Sequence, residues 1–387
     1  MVAAWGKSIV ILGGGSGGLT AANELRRQLS KDHEVTVVDK KDQFFMGLAK
    51  LRVLTGLKLP WEHAGDLRQL RSKDINFVET QISRLNPSRR IVTTEAGDLS
   101  YDYLVVALGA DQSPGSVPGF VEGAYDIYTV EGAAALRGRL NTFTGGKLVV
   151  MISAVPFKCP GAPYEAAMLM EDMLKKRGVR DRVDIQIFTP EPQPLPIGGP
   201  AIGNQFKSLL TERGIGFNPG CKPKEVDAKK KLVTFENGTT TSYDLLAGVP
   251  THIVPRVVKD SILAGPNGWI PADKRTLQTK FPNVFAVGDV AAVMTANNLP
   301  ISKLGTIAEE EAKVVARNIV NLIHGQESRS YFEGHGTCFV EVGGDMACLA
   351  RAEFLAEPAP KMVIDAPSAQ FLQFKRDFEA TRLASWF

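Results

Sequence analysis

The 387-residue sequence lacks the features that mark membrane-spanning, secreted or nucleic-acid-binding proteins. No apolar run reaches the ~18 residues that a transmembrane helix needs. The N-terminus has no basic segment followed by an apolar stretch and a cleavage site, which argues against a secretory signal. A net charge of +3 without a Lys/Arg cluster argues against nucleic-acid binding. We therefore expect an intracellular globular protein, long enough for two or three domains.

Cysteine is also scarce, and its spacing excludes two common uses. The chain has only Cys159, Cys221, Cys338 and Cys348. None has zinc-like spacing, so we predict no metal site. Structural disulfide frameworks are rare in intracellular proteins, so any disulfide here is expected to be catalytic. The alternative for each cysteine is a buried, inert apolar residue. From their flanking residues, Cys221 is predicted in an exposed turn and Cys348 in a core.

A glycine-rich loop near the N-terminus predicts a dinucleotide site. The apolar strand Ser8–Leu12 is followed by the loop GGGSGG, then by a helical stretch and a second strand, EVTVVD. Asp39 ends that second strand, 21 residues after Gly18. This is the βαβ arrangement in which glycines admit a pyrophosphate and an acid binds the ribose. The alternative is a tight glycine turn without a ligand. The predicted contacts are Gly13, Gly15, Ser16, Gly18, Asp39 and Lys40.

An internal repeat predicts a second, altered half. The segment Arg90–Gly109 recurs in looser form as Lys231–Pro250, an offset of 141 residues. At that offset, the motif glycines Gly13, Gly15 and Gly18 align with Ala154, Pro156 and Cys159. Prolines at 156, 160 and 163 remove backbone donors from this second loop. We therefore predict two Rossmann-like halves, of which the second has a thiol in place of a nicotinamide dinucleotide site.

Two downstream segments resemble the flavoprotein disulfide reductase superfamily. They are Tyr101–Ala110 and Phe281–Ala291, each a buried strand that ends in a small-residue turn. The resemblance implies FAD, with Ala107, Gly109, Gly288 and Asp289 at the cofactor; a helix N-cap is the alternative role for Asp289. The predicted fold is α/β. Its parts are a discontinuous FAD domain (1–110 and 250–325), a second Rossmann-like domain (111–249) and a small C-terminal β/helical portion (326–387).

More specific segments resemble the sulfide:quinone oxidoreductases and the flavoprotein subunit of flavocytochrome c sulfide dehydrogenase. Phe157–Ala167 is similar to the active-site loop of that family, and Gly336–Ala350 to the segment with its second redox cysteine. Pro300–Ile319 and Phe374–Phe387 also resemble family segments. The resemblance implies that Cys159 and Cys338 form the redox pair.

The chemistry that the resemblance implies is oxidation of sulfide to zero-valent sulfur. Hydrosulfide would attack a Cys159–Cys338 disulfide, and the released thiolate would pass two electrons to FAD. Some members of the family attach FAD through a cysteine, but Asp42–Lys50, the corresponding segment, contains none, so we expect noncovalent FAD. Cys159 should have a lowered pKa, helped by a helix N-terminus. Glu165 is the candidate general base, or an ordinary first-turn glutamate. Lys303 would stabilise negative charge on the flavin, or is a surface lysine.

The predicted electron acceptor is a membrane quinone. Phe371, Phe374 and Phe378 recur at helical spacing in a tail that also contains Lys375, Arg376 and Arg382. This pattern predicts an interfacial amphipathic helix, with Phe374 or Phe378 at a quinone pocket, or a helix packed on its own core. We expect a peripheral protein on the cytoplasmic membrane face, with homo-oligomerisation possible. Alternatives are a soluble sulfide dehydrogenase that reduces a cytochrome, an NADH:quinone oxidoreductase, and a non-catalytic FAD/persulfide sensor.

Overall fold

The first of two parallel sheets is built around the N-terminal strand. In a computed structural model, which describes residues 6–57, 62, 64–327 and 329–387, Ser8–Leu12 lies between two parallel neighbours. Its nearly unbroken run of buried apolar residues is typical of a parallel strand covered on both faces. The strand order is Val284–Ala286, Tyr103–Val106, Ser8–Leu12, Glu34–Asp39 and Asn76–Glu79. The glycine-rich loop therefore lies at the carboxyl edge of this sheet.

The second parallel sheet repeats this arrangement and confirms the predicted α/β fold with two Rossmann-like halves. Its strand order is Tyr125–Asp126, Leu245–Val249, Gly146–Ile152, Val183–Phe188 and Ile215–Asn218. The central strand again has its two parallel partners on either side. An offset of 141 carries Leu12, the end of the first central strand, to position 153, next to Ile152 at the end of the second. The loop that contains Cys159 thus occupies the position of the glycine-rich loop.

Each half also carries a three-stranded antiparallel sheet, as the repeated segment predicts. One consists of Ile82–Asn86, Ile91–Thr94 and Gly97–Ser100, and the other of Pro223–Asp227, Leu232–Phe235 and Thr240–Ser242. Cys221 immediately precedes the second of these sheets and is buried against it. The prediction of an exposed turn at Cys221 is therefore wrong, because the antiparallel sheet packs back onto the second core.

Helices cover the parallel sheets and deliver side chains to their carboxyl edges. Helices α1 and α8 pack against each other, and α5 lies on the second sheet. Helix α5 begins with a proline in its first turn, where the missing N–H has no intrahelical partner to lose. The α-helices are α1 (Ser16–Gln28), α2 (Lys50–Thr55), α3 (Phe120–Gly123), α4 (Val130–Leu140), α5 (Ala162–Lys176), α6 (Gly199–Thr211), α7 (Arg256–Lys259), α8 (Gly305–Ile323) and α9 (Ala369–Trp386).

The fold also contains three shorter two-stranded pairings. They are Gln43–Phe45 with Ala64–Asp66, Asp111–Ser113 with Thr251–Ile253, and Ile270–Pro271 with Ala291–Ala292. The domain boundaries given above stay a prediction. Among the helices of the described ranges, none combines the length and apolarity that crossing a membrane requires.

The C-terminal portion packs onto the rest of the chain. Strands His335–Gly343, Met346–Glu353 and Lys361–Ile364 form an antiparallel sheet that contacts both α5 and α9. In α9, the Lys375 side chain is fully buried and Arg382 lies 2.6 Å from Glu309. For these two residues the structure favours the alternative of a helix packed on its own core, because both pair with carboxylates of the protein.

Candidate active site

A cavity of about 810 Å³ lies at the carboxyl edge of the first sheet. The glycine-rich loop forms one wall, and the turns after the neighbouring strands form the others. Nine of the eleven predicted dinucleotide contacts line it. They are Gly13, Gly15, Ser16, Asp39, Lys40, Ala107, Gly109, Gly288 and Asp289. Gly18 is not in this lining but follows Gly17, which is, and Lys303 lines a second, adjoining cavity.

Close backbone approach requires two of the three motif glycines, Gly13 and Gly18. A Cβ on Gly18 would lie 1.8 Å from the Gly13 carbonyl oxygen, so helix α1 can pack on the strand only without a side chain there. Gly13 has a φ of +104°, and its Cβ would lie 2.4 Å from the Ala107 carbonyl oxygen. By contrast, a Cβ on Gly15 would meet no atom within 4 Å, so its main chain faces open space. These features fit a pyrophosphate at the helix N-terminus.

Two main-chain hydrogen bonds orient the Asp39 carboxylate. Its Oδ2 accepts a hydrogen bond of 2.7 Å from the Gly14 N–H, and its Oδ1 accepts one of 3.0 Å from the Lys41 N–H. The carboxylate is thus fixed at the end of the second strand, beside the loop. This geometry fits the predicted role in binding a ribose.

The Gly288–Asp289 turn rests on a buried acid that the sequence analysis missed. The Gly288 N–H donates a 2.6 Å hydrogen bond to Glu311 Oε2 from helix α8, at a φ of +71° that favours glycine. Burial raises the pKa of Glu311 to about 8. Burial also raises the pKa of Asp289, against the pull of Lys158 and Lys303. Only the helical spacing of α8, which places Glu311 on its apolar face, could have drawn attention to it.

The second cavity, of about 240 Å³, brings the predicted redox residues together. It lies against the first, since Lys50, Lys158 and Asp289 line both. The predicted residues in its wall are Cys159, Cys338, Glu165, Lys303 and Phe378. Residues from the second sheet, the C-terminal sheet and α9 therefore converge beside the dinucleotide cavity.

The two cysteines line the same cavity as free thiols, although 179 residues separate them in the chain. The neighbouring Cys338 thiol and burial raise the pKa of Cys159 well above its usual value. The expected lowering of that pKa is therefore not found in the dithiol form, because the neighbouring thiol and the buried surroundings both disfavour a thiolate. Cys348 is buried, as predicted.

Lys303 is a buried residue, which excludes the surface alternative. Its exposure is 8%, and its Nζ lies 3.8 Å from the centre of the Trp269 ring and donates to the Asp289 carbonyl. Burial lowers its pKa to about 8. The Lys303 carbonyl accepts a 2.7 Å hydrogen bond from the Cys159 N–H. Lys303 is therefore tied to both the redox loop and the Gly288–Asp289 turn.

Glu165 lies in the first turn of α5, yet its side chain points into a buried ion cluster. The Lys375 Nζ is 2.7 Å from Glu165 and 2.9 Å from Glu341. Arg52 lies 3.1 Å from Glu341 and 2.8 Å from Glu379. Three carboxylates thus lie beside two cations among the described residues, and a bound proton reduces the repulsion between the carboxylates. None of the other four members was singled out from the sequence as a site residue.

That proton is held most readily by Glu165. Burial raises its pKa to about 7 even though Lys375 opposes the shift. Burial also acts to raise the pKa of Glu341, but Lys375 and Arg52 together lower it below its usual value. A carboxyl group that titrates near neutral pH, in the wall of the thiol cavity, fits the predicted general base.

Comparison with known proteins shows which family has this architecture. The pyridine nucleotide-disulphide oxidoreductase family matches residues 7–312, most of the chain. The chain belongs to this family. It is 27% identical to the mitochondrial sulfide:quinone oxidoreductase of Mus musculus, covering 92% of this chain and 80% of that protein. The sulfide-quinone reductase of Aquifex aeolicus is 29% identical, with 88% and 82% covered.

A solved structure agrees over the whole chain. The sulfide:quinone oxidoreductase of Aquifex aeolicus superposes with a TM-score of 0.85 at 26% identity, covering 98% of this chain and 91% of that one. The resemblance stated from the sequence is therefore confirmed. The match to the pyridine nucleotide-disulphide oxidoreductase family ends at residue 312, whereas Cys338, Lys375 and Phe378 lie beyond it. Part of the thiol cavity is thus built from residues that lie beyond the matched range.

The two candidate quinone residues differ in position. Phe378 lines the thiol cavity, and the Arg382 guanidinium lies 4.6 Å from the centre of its ring. Phe374 is 44% exposed, lies outside that lining and contacts the Phe371 ring at 6.1 Å. Of the two, only Phe378 is placed to contact a molecule in the cavity.

Proposed function

We propose that this chain is an FAD-dependent sulfide:quinone oxidoreductase. The observation that carries the proposal is that Cys159 and Cys338 line one cavity, which adjoins the dinucleotide site. The named relatives oxidise sulfide and reduce quinone. Bound FAD supplies a two-electron acceptor between these two half-reactions. The glycine-rich loop, Asp39 and the Gly288–Asp289 turn hold it noncovalently.

The thiol pair receives the sulfide. The two thiols first form the Cys159–Cys338 disulfide by losing two protons and two electrons, for which quinone is the final oxidant. Hydrosulfide then attacks one sulfur of this disulfide, so that one S–S bond forms as another breaks. One cysteine becomes a persulfide and the other leaves as a thiolate, which conserves charge. Glu165 in its deprotonated form accepts the proton of the persulfide. Lys303, buried between the redox loop and Asp289, stabilises the negative charge that moves toward the dinucleotide cavity.

The quinone occupies the apolar side of the thiol cavity. Phe378, Met46, Leu51 and Ile127 form that side, and Phe378 provides a ring on which a quinone can stack. Quinones are lipid-soluble, so we place the protein peripherally on the cytoplasmic face of the cell membrane. The exposed Phe374 ring, with the half-buried Phe371 ring beside it, is the aromatic part of α9 that can contact lipid. A homo-oligomer would multiply this weak contact.

Steady-state acceptor assays test the proposal. The FAD-loaded protein should reduce a short-chain quinone with sulfide as donor, and should fail to do so with NADH. Reduction of a cytochrome but not of quinone would favour a soluble sulfide dehydrogenase. NADH-driven quinone reduction without a sulfide-driven rate would contradict the proposal. Binding of persulfide without turnover would leave only a sensor.

A further inference from the structure

The main chain at Cys159 has a conformation that few non-glycine residues adopt. Its φ is +46°, in the left-handed region where a Cβ is crowded by the following carbonyl. The Cys159 N–H donates to the Lys303 carbonyl at 2.7 Å, and its carbonyl accepts from the Ala162 N–H at 2.9 Å. A conformation of this kind persists only where the surroundings hold it.

A tyrosine hydroxyl also contacts the main chain on both sides of the Cys159 α-carbon. The Tyr128 hydroxyl donates to the Lys158 carbonyl at 2.7 Å and also lies 3.2 Å from the Cys159 carbonyl. It therefore bridges the two peptide units that flank the turn. Tyr128 lines the thiol cavity, but burial raises the pKa of its hydroxyl well above the usual value, so it remains a donor.

Tyr128 is itself fixed on three sides. Its N–H donates to Asp126 Oδ1 at 2.8 Å, and its carbonyl accepts from Lys50 Nζ at 2.8 Å. Its ring meets the His252 ring edge-on, with centres 5.1 Å apart. The hydroxyl therefore acts from a rigid support, and a Phe at this position would keep every one of these contacts.

We propose that Tyr128 is a positioning residue whose hydroxyl holds the Lys158–Cys159 main chain in the left-handed turn that directs the Cys159 thiol at Cys338. Without this bond the turn relaxes toward common backbone conformations, and the thiol spends less time in contact with its partner. The effective concentration of one thiol at the other falls, and the disulfide forms less readily. The inference rests on the proposed function only in that the pair must be able to form a disulfide.

The test is a thiol–disulfide equilibrium. Two protein thiols and oxidised glutathione exchange to give the Cys159–Cys338 disulfide and two molecules of reduced glutathione, which balances atoms and electrons. FAD-loaded wild type, Tyr128→Phe and Tyr243→Phe are equilibrated anaerobically in glutathione buffers, quenched in acid, alkylated and analysed by peptide mass. Tyr243→Phe is the matched control, because that buried hydroxyl has no hydrogen-bond partner among the described residues.

Loss of one buried hydrogen bond is expected to lower the equilibrium constant by roughly 3- to 10-fold in Tyr128→Phe. A tenfold change corresponds to about 30 mV in the reduction potential of the pair. Tyr243→Phe should equal wild type, and equal urea midpoints would show that both variants fold. Equal constants in wild type and Tyr128→Phe would overturn this inference alone. Failure of wild type to form the disulfide would overturn it together with the proposed function.

Discussion

Replacement of Lys375 by methionine tests the buried ion cluster most severely. The Lys375 side chain has 0% exposure, and its Nζ lies within 2.9 Å of both Glu165 and Glu341. Burial alone would lower its pKa, but these carboxylates raise it above the usual range. Removing one partner of a buried ion pair costs about 3–5 kcal/mol, since the remaining charges stay buried. We expect Lys375→Met to lower the free energy of unfolding by about this amount at pH 8.5.

The cost should decrease at lower pH. When the pKa of a carboxyl group is higher in the folded than in the unfolded state, the free energy of unfolding of the protein decreases as the pH rises from the unfolded-state pKa to the folded-state pKa. In wild type this loss ends near pH 7, the pKa of Glu165. In Lys375→Met that pKa rises further, so the loss continues above pH 7 at up to about 1.4 kcal/mol per pH unit. The difference between variant and wild type should therefore be smaller at pH 6 than at pH 8.5, by roughly 1–2 kcal/mol.

Urea unfolding followed by tryptophan fluorescence at the two pH values measures this difference. Arg376→Met is the matched control, because Arg376 is the next residue in the same helix and is exposed. The control should change stability by less than about 0.5 kcal/mol at both pH values. If Lys375→Met behaves like Arg376→Met, Lys375 is not held among buried carboxylates and the reasoning is refuted.

Three further predictions concern the base, the cofactor loop and the acceptor. With Glu165 as base, the sulfide-dependent kcat of wild type should fall as the pH drops below 7. Glu165→Gln should have a lower kcat that does not change in this pH range. If the variant keeps the wild-type pH dependence, the titrating base is another group. Gly18→Ala places a Cβ 1.8 Å from a main-chain carbonyl and should weaken FAD binding at least tenfold by equilibrium titration. Gly138→Ala, whose Cβ meets no atom within 4 Å, should not weaken it, and equal affinities would exclude tight packing at Gly18. Phe378→Ala should raise the KM for a short-chain quinone severalfold while Phe374→Ala leaves it unchanged, and the reverse order would move the quinone site to the exposed face.

Local sequence patterns were sufficient to predict the two-sheet fold. The run Ser8–Leu12 and its repeat after Lys147 are continuous apolar strands, and Gly18 is required by the Gly13 carbonyl, five residues earlier in the chain. The Cys159 loop could be placed because the internal repeat aligned it with the glycine-rich loop. These features depend on residues close in the chain, so one sequence contains the information.

The ion cluster depends on contacts that no local pattern encodes. Glu165 and Lys375 are 210 residues apart, and Arg52 and Glu379 are 327 apart. Lys375 follows aromatic residues in a helix, where a basic residue usually faces water. Its burial becomes evident only when α9 is packed over α5 and the C-terminal sheet. The pKa of Cys159 was likewise mispredicted, because its direction is set by the distant thiol of Cys338.

Anaerobic stopped-flow mixing of the FAD-loaded protein with sulfide tests the central claim most directly. Wild type and Cys348→Ala should lose flavin absorbance rapidly with sulfide and not with NADH, because Cys348 is a buried core residue. Cys159→Ala should leave the flavin oxidised. Sulfide that bleaches Cys159→Ala at the wild-type rate, or NADH that bleaches wild type while sulfide does not, would contradict a thiol-mediated route to the flavin.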